Sequence, residues 1–260
     1  MPYYRTEAII LRKTDYSNTS TVFNVFTRDM GRLGLIAKGI KRGGAAYESE
    51  PDLFTINDVV LSHRAGANLG TLAESAVIDD MRGIGKKVER FWAACYVAEL
   101  LLDLTPESQP LPEIYELAAT TLRAVAKAEK VALMVFNFEV ALLRLLGHEP
   151  QVSKCVECGA PRGRLKEIAF SVLKGGCLCE KCAPGDPNAF AIRGGTAALI
   201  EALGKQRASP GRKAAVARAD RLGIRREDAK DLRRALDRFF TFLRERPSKT
   251  LRYMQATYSK

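Results

Sequence analysis

Two short cysteine pairs carry the clearest chemistry in this sequence. Cys155-Val-Glu-Cys158 is followed, after twenty residues, by Cys179-Glu-Lys-Cys182, with Gly159 and Pro184 close by to turn the chain. Two such knuckles present four thiolates to one point, the donor set of a zinc ion bound at ~2.3 Å from each sulfur. Four protein ligands leave no position open for water or substrate, so the expected ion is structural rather than catalytic. Cys177 stands two residues before Cys179. A one-residue spacing turns two sulfurs toward one ion less readily than Cys-x-x-Cys, so Cys177 is left out of the expected ligand set. Its alternative role is a redox-active thiol beside the cluster. Cys95 falls on an apolar helical face and reads as a small buried hydrophobe.

Other chemistries are poorly served. His63 and His148 are the only histidines, which limits acid–base and metallohydrolase mechanisms severely. His63 ends a strand, where it is expected to be exposed, and His148 follows Gly147 at a helix end. Gly83-Ile-Gly85-Lys86-Lys87 resembles a phosphate loop only superficially. Asp80 and Met81 stand where an earlier glycine is required, and no serine or threonine follows the lysine.

The 260 residues, 47% apolar and 27% charged, suffice to bury a sizeable core in one or two domains. The net charge of +11 favours a polyanionic partner. Its distribution says more than its size, because residues 1–80, 81–150 and 151–190 carry −1, −1 and +2, and residues 191–260 carry all of the +11. Within that last stretch, Lys205–Arg226 holds eight cations against the single acid Asp220. Unmixed charge of this kind suits phosphate contact with counterion release, with Arg212, Lys213, Arg218 and Arg221 as the expected contacts. The helix that follows mixes Lys230, Arg233, Arg234 and Arg238 with Asp231 and Asp237, the pattern of a solvated face.

The amino-terminal 80 residues read as β structure. Ala8–Leu11, Thr21–Thr27, Leu33–Ala37, Leu53–Leu61 and Thr71–Ile78 are short β-branched or aromatic runs bounded by turn residues. Five such strands suggest a small closed barrel without exposed sheet edges. Arg12, Lys13, Arg28, Arg32, Lys38, Lys41 and Arg42 could follow a nucleic-acid backbone, and Tyr4, Tyr16 and Tyr47 could stack bases. Such binding requires Glu48, Glu50, Asp52, Asp79 and Asp80 to lie on the far side. Beyond residue 83 the period becomes helical. Val88, Phe91, Trp92, Cys95 and Leu102 share one face, then Ile114, Leu117, Ala118, Thr121, Leu122 and Val125, then Val131, Met134, Val135, Phe138, Leu142 and Leu145. A fourth helix is expected over Thr196–Leu203 and a fifth over Glu227–Leu243, with Leu232, Ala235, Leu236, Phe239 and Leu243 inward. The expected domains are a barrel at 1–80 and a helical domain at 81–260 that carries the cysteine module at 151–190. No apolar run reaches the ~18 residues of a membrane span. The first residues lack the pattern of a secretory signal, so a cytosolic protein is expected.

In this order, barrel, helices, four-cysteine module and terminal helix resemble the RecO family of bacterial recombination mediators over the whole chain. The residues that carry the likeness are Ala8-Ile-Ile-Leu-Arg12, Val25-Phe-Thr-Arg28 with Gly31, Ala37-Lys38-Gly39, Leu69-Gly70-Thr71-Leu72, both cysteine pairs with Gly175-Gly176, and Ser248-Lys-Thr-Leu-Arg-Tyr-Met254. The chain departs from the pattern at Ser17-Asn18-Thr19, where an acid is common, and at Cys177.

The resemblance implies an α+β protein with an amino-terminal five-stranded OB-fold barrel and an all-helical domain bearing a zinc module. It implies no enzymatic turnover and no use of ATP. It further implies binding to single- and double-stranded DNA and annealing of strands coated with single-strand binding protein, whose acidic tail docks on the helical domain. RecA loading together with RecR, in the cytoplasm at the nucleoid, completes the expectation. The competing reading is a zinc-ribbon adaptor that binds proteins and attracts nucleic acid only incidentally. A thiol oxidoreductase using Cys177 is a distant third.

Overall fold

Strand alternation in the first 80 residues is realised as a closed barrel. The computed structural model describes residues 2–42, 50–64, 66–163, 165–205 and 225–258. Its first five strands are β1 (Tyr4–Asp15), β2 (Thr21–Thr27), β3 (Gly31–Ala37), β4 (Ile56–Ser62) and β5 (Gly70–Asp79), closed in the order β1-β2-β3-β5-β4. This is an OB-like topology. The long β1 pairs with β4 through its first half and with β2 through its second. A register shift between Ile10 and Arg12 buries Ile9, Ile10 and Leu11 together and turns Arg12 outward. Ala8, Ile10, Phe23, Val25, Leu33, Leu35, Val59, Leu61 and Leu72 fill the interior.

β4 starts later than the run from Leu53 suggests. Phe54 takes a left-handed backbone conformation (φ 67°), and its N–H donates to the Ile10 carbonyl at 2.8 Å. Its ring is buried edge-on against Phe91.

The helices are α1 (Val88–Leu104), α2 (Pro112–Lys127), α3 (Val131–Leu145), α4 (Gly194–Gly204), α5 (Arg226–Arg244) and α6 (Leu251–Tyr258). Among the described residues none is long and apolar enough to cross a membrane. The chain groups into two compact units, Met1–Val131 with Thr250–Lys260, and Ala132–Lys249.

In the first unit, α1 and α2 pack on the barrel. Phe26 stacks on Tyr115, whose hydroxyl donates to Glu7 at 3.2 Å. The segment between these helices lies along β3, where the Ser108 N–H donates to the Arg32 carbonyl. Gly31 makes that approach possible: its φ is +72°, and a Cβ there would stand 1.9 Å from the Gln109 carbonyl oxygen. The buried guanidinium of Arg90 donates to the Ala128 and Gly83 carbonyls and ties α1 to the end of α2.

The face expected to be buried on α1 is corrected. Ala93, Ala94, Tyr96, Val97, Leu100 and Leu101 are inside, whereas Val88 and Phe91 are exposed and Trp92, Cys95 and Leu102 are half-buried. α1 is apolar around most of its circumference, so periodicity alone cannot choose a face. The second face is partly covered by α6, on which Tyr253 stacks with Trp92 at 4.4 Å between centroids. Burial lifts the Cys95 thiol to about 11.

In the second unit, β6 (Glu167–Ser171), β7 (Gly176–Leu178) and β8 (Phe190–Arg193) form a sheet in the order β7-β6-β8. α3 buries Met134, Val135, Phe138 and Leu142, and α5 buries Leu232, Ala235, Leu236, Phe239 and Phe240. Leu243 is only half-buried.

Candidate metal centre and nucleic-acid interface

The four knuckle cysteines are brought together by backbone pairing with β7. Residues leading into the first knuckle run beside that strand: the Cys177 N–H donates to the Gln151 carbonyl at 2.8 Å and the Val156 N–H to the Cys177 carbonyl at 2.9 Å. Gly176 has to be a glycine for this pairing, since a Cβ would stand 2.2 Å from the Gln151 carbonyl oxygen. Within the knuckles, the Gly159 N–H closes on the Cys155 carbonyl at 3.0 Å and the Cys182 N–H on the Cys179 carbonyl at 3.0 Å. The second knuckle is steadied by Asp186, which is buried, accepts from the Ser171 hydroxyl and caps the Asn188 N–H at 2.9 Å. The Ser171 hydroxyl, and then the Asn188 N–H, hold its carboxyl below the usual range.

As a result the sulfurs of Cys155, Cys158, Cys179 and Cys182 all lie within 4.8 Å of one another, and Cys158 and Cys179 are 3.6 Å apart. A tetrahedral ion with ~2.3 Å bonds needs sulfur–sulfur edges of about 3.8 Å, so the set fits a four-coordinate metal ion. Backbone electrostatics favour charge on two of the sulfurs. At Cys155 burial opposes ionisation, yet the N–H groups of Cys158, Cys179 and Glu157 outweigh it and bring the thiol down to about 6. The Cys182 N–H lowers Cys179. Cys182, whose thiol donates to Cys179, is pushed up to about 12. A cation bound by four thiolates displaces the protons that the free thiols carry.

Cys177 stays outside this set. Its side chain is 2% exposed, burial raises the thiol to about 11, and its backbone provides the register that places the first knuckle. That backbone role has no sequence signature. His63 is half-buried rather than exposed, with Nε2 3.1 Å from the Ala67 carbonyl oxygen.

The seven barrel cations divide into three sets. Arg28 reaches Glu116 at 2.5 Å and Glu7 at 3.7 Å. Arg32 donates to the Thr105 carbonyl at 3.1 Å and pairs with Glu107 at 2.8 Å. Both are engaged with the α1–α2 region. Lys13 pairs with Glu50 at 3.1 Å and Lys41 with Asp15 at 2.7 Å. Arg12, Lys38 and Arg42 are exposed and form no ion pair with a described residue. These three lie at one end of the barrel. Arg12 is near the end of β1, Lys38 follows β3, whose last residue Ala37 pairs with Thr21 at the start of β2, and Arg42 closes the 3-10 turn Ile40–Arg42. Tyr16, 68% exposed, sits in the β1–β2 turn at this end, whereas Tyr4 starts β1 at the other.

Of the acids required on the far side, Asp79 pairs with Arg123 and Asp80 with Arg82. Glu50 does not comply: it sits beside Lys13 and accepts from the Thr21 hydroxyl at 2.8 Å. Tyr47, Glu48, Arg212, Lys213, Arg218 and Arg221 lie outside the described residues. Of the Lys205–Arg226 cations that are described, Lys205 pairs with Glu201 at 2.6 Å, and Arg225 and Arg226 are exposed.

Residues 1–81 match the family model described as Recombination protein O N terminal, and residues 86–252 match Recombination protein O C terminal. A protein of Rhodopirellula baltica named DNA repair protein RecO is 34% identical over 183 residues, which cover 70% of this chain and 67% of that protein. A protein of the same name from Bacillus pumilus is 30% identical over 196 residues, 75% of each chain, and one from Bacillus subtilis is 29% identical over the same share.

Proposed function

The chain belongs to the RecO family of DNA repair proteins, and on that premise we propose that it is a non-enzymatic mediator that binds single- and double-stranded DNA and anneals complementary strands. The supporting observation is the set Arg12, Lys38 and Arg42, each exposed at one barrel end and none in an ion pair with a described carboxylate, with Tyr16 at the same end. Cations that neutralise phosphates and a ring that stacks a base are the two parts of sequence-tolerant strand binding. Lys41 adds to this surface, because a pair with the exposed Asp15 is worth only about 0–1 kcal/mol and gives way to a phosphate, whereas Lys13 is half-buried with Glu50. Arg28 and Arg32 position the barrel against its helices.

The carboxy-terminal cations Arg212, Lys213, Arg218 and Arg221 supply a second polyanion contact. With two cationic surfaces on one chain, two mutually repelling strands are held at raised effective concentration, and base pairing then drives annealing. Residues 1–80 carry the strand-binding role and residues 81–260 the partner contacts, with the cysteine module at 151–190 holding zinc as a structural ion. The partners are RecR, the tail of single-strand binding protein and, indirectly, RecA, in the cytoplasm at the nucleoid.

Replacing Arg12, Lys38 and Arg42 together by serine tests the assignment. A log–log salt slope of about −0.7 per neutralised phosphate means the slope on single strands should flatten by about 2, with affinity falling alike for all sequences. The pair Arg28→Ser and Arg32→Ser should instead lower thermal stability and leave the slope in place. An unchanged slope in the triple variant contradicts the assignment.

A further inference from the structure

We propose that Cys158 is an oxidation site, at which peroxide forms a Cys158–Cys179 disulfide that displaces the bound ion; the displacement rests on the metal reading above. Exposure and distance carry the inference. Of the four clustered thiols only Cys158 is exposed, Cys179 and Cys182 are half-buried, and Cys155 is 3% exposed. The Cys158 and Cys179 sulfurs are 3.6 Å apart, on different knuckles. Disulfide formation needs that gap to close to about 2 Å, a small movement for two loop residues.

The chemistry balances with a peroxide as oxidant. The Cys158 thiolate attacks one peroxide oxygen, an S–O bond forms, the O–O bond breaks and hydroxide leaves. The Cys179 thiolate then attacks the sulfenic sulfur, the S–S bond forms, the S–O bond breaks and a second hydroxide leaves. The two sulfurs lose two electrons, the peroxide gains them, and the ion departs as the same divalent cation because only Cys155 and Cys182 remain to bind it. The new bond joins the knuckles that the ion had joined, so the module keeps a covalent brace in place of the metal. A thiol reductant reverses the change by exchange.

The experiment uses the full chain loaded with zinc and titrated with hydrogen peroxide. Released zinc is read with a chromophoric chelator, thiols by titration and the bond by peptide mapping. The expected result is one zinc released per two thiols lost, a cross-linked peptide joining Cys158 to Cys179, unmodified Cys95 and Cys177, and recovery with dithiothreitol and zinc. Cys177→Ser should leave this outcome unchanged, and Cys158→Ser should remove the cross-link. A map showing bonds within a knuckle, or Cys158 driven to sulfonic acid without a cross-link, overturns the inference. So does zinc retention under peroxide that oxidises added glutathione. A chain that takes up no zinc overturns the metal reading alone, and the map of its peroxide product still decides the disulfide.

Discussion

For the zinc-loaded chain proposed above, removing the ion with a chelator, or replacing Cys155 by serine, is expected to unfold the cysteine module while the barrel stays folded. The three-stranded sheet β7-β6-β8 buries only a few side chains, among them Ile168, Phe170, Leu178 and Ile192. A sheet of this size has little stability of its own. Structural zinc supplies about 10–16 kcal/mol of apparent binding free energy in comparable small modules. Cys155 is the most buried of the four knuckle cysteines, and three backbone N–H groups outweigh its burial to lower its thiol, so its loss should cost most. Hydrogen exchange reads the outcome directly. The amides of Val156 and Cys177, bonded to Cys177 and Gln151 carbonyls, should lose protection, and those of β1 and β2 should keep it. Equal protection with and without metal would show that the sheet holds the knuckles together unaided.

Glu139→Leu is expected to destabilise the second unit by about 3–5 kcal/mol, the cost of leaving a buried charge without its counter-ion. Glu139 is fully buried on α3 and takes both terminal nitrogens of Arg233 from α5, at 2.9 and 2.5 Å. The guanidinium also lies over the Phe136 ring, 5.5 Å from its centroid. Replacing both charges, as Glu139→Leu with Arg233→Met, should recover most of the loss, because an apolar pair of similar volume avoids the desolvation cost. Urea unfolding checks this: the midpoint of the single variant should fall, the slope should hold, and the double variant should return toward the parent. A single variant as stable as the parent would mean that the pair contributes nothing.

That ion pair also marks where sequence reading stopped. The charges of α5 look like a mixed solvated face, and for Lys230, which is exposed, this holds, whereas Arg238, also exposed, lays its guanidinium over the Phe190 ring, 4.3 Å from its centroid. Arg233 turns inward because its acid is 94 residues away, and no local pattern carries such a pairing. The same limit applies to Arg28 and Arg32, whose acids Glu116 and Glu107 lie on and before α2.

Local signals were legible. The run Thr21–Thr27 is β2 residue for residue, since alternation over a half-buried strand is written in adjacent positions. The four cysteines were legible from spacing alone, and the structure brings their sulfurs together. The backbone role of Cys177 was not legible, because strand pairing leaves no mark on residue type. Nor was the cover that α6 provides for α1, since a helix apolar around most of its circumference does not say which neighbour it meets.

Strand annealing by the purified chain, followed with and without single-strand binding protein on the DNA, tests the central claim most directly. The expected result is acceleration without ATP that fades as salt rises and is lost in the correctly folded Arg12→Ser, Lys38→Ser, Arg42→Ser variant. Annealing at the parent rate in that variant, or none by the parent chain at low salt, would contradict a barrel end built to hold polynucleotide.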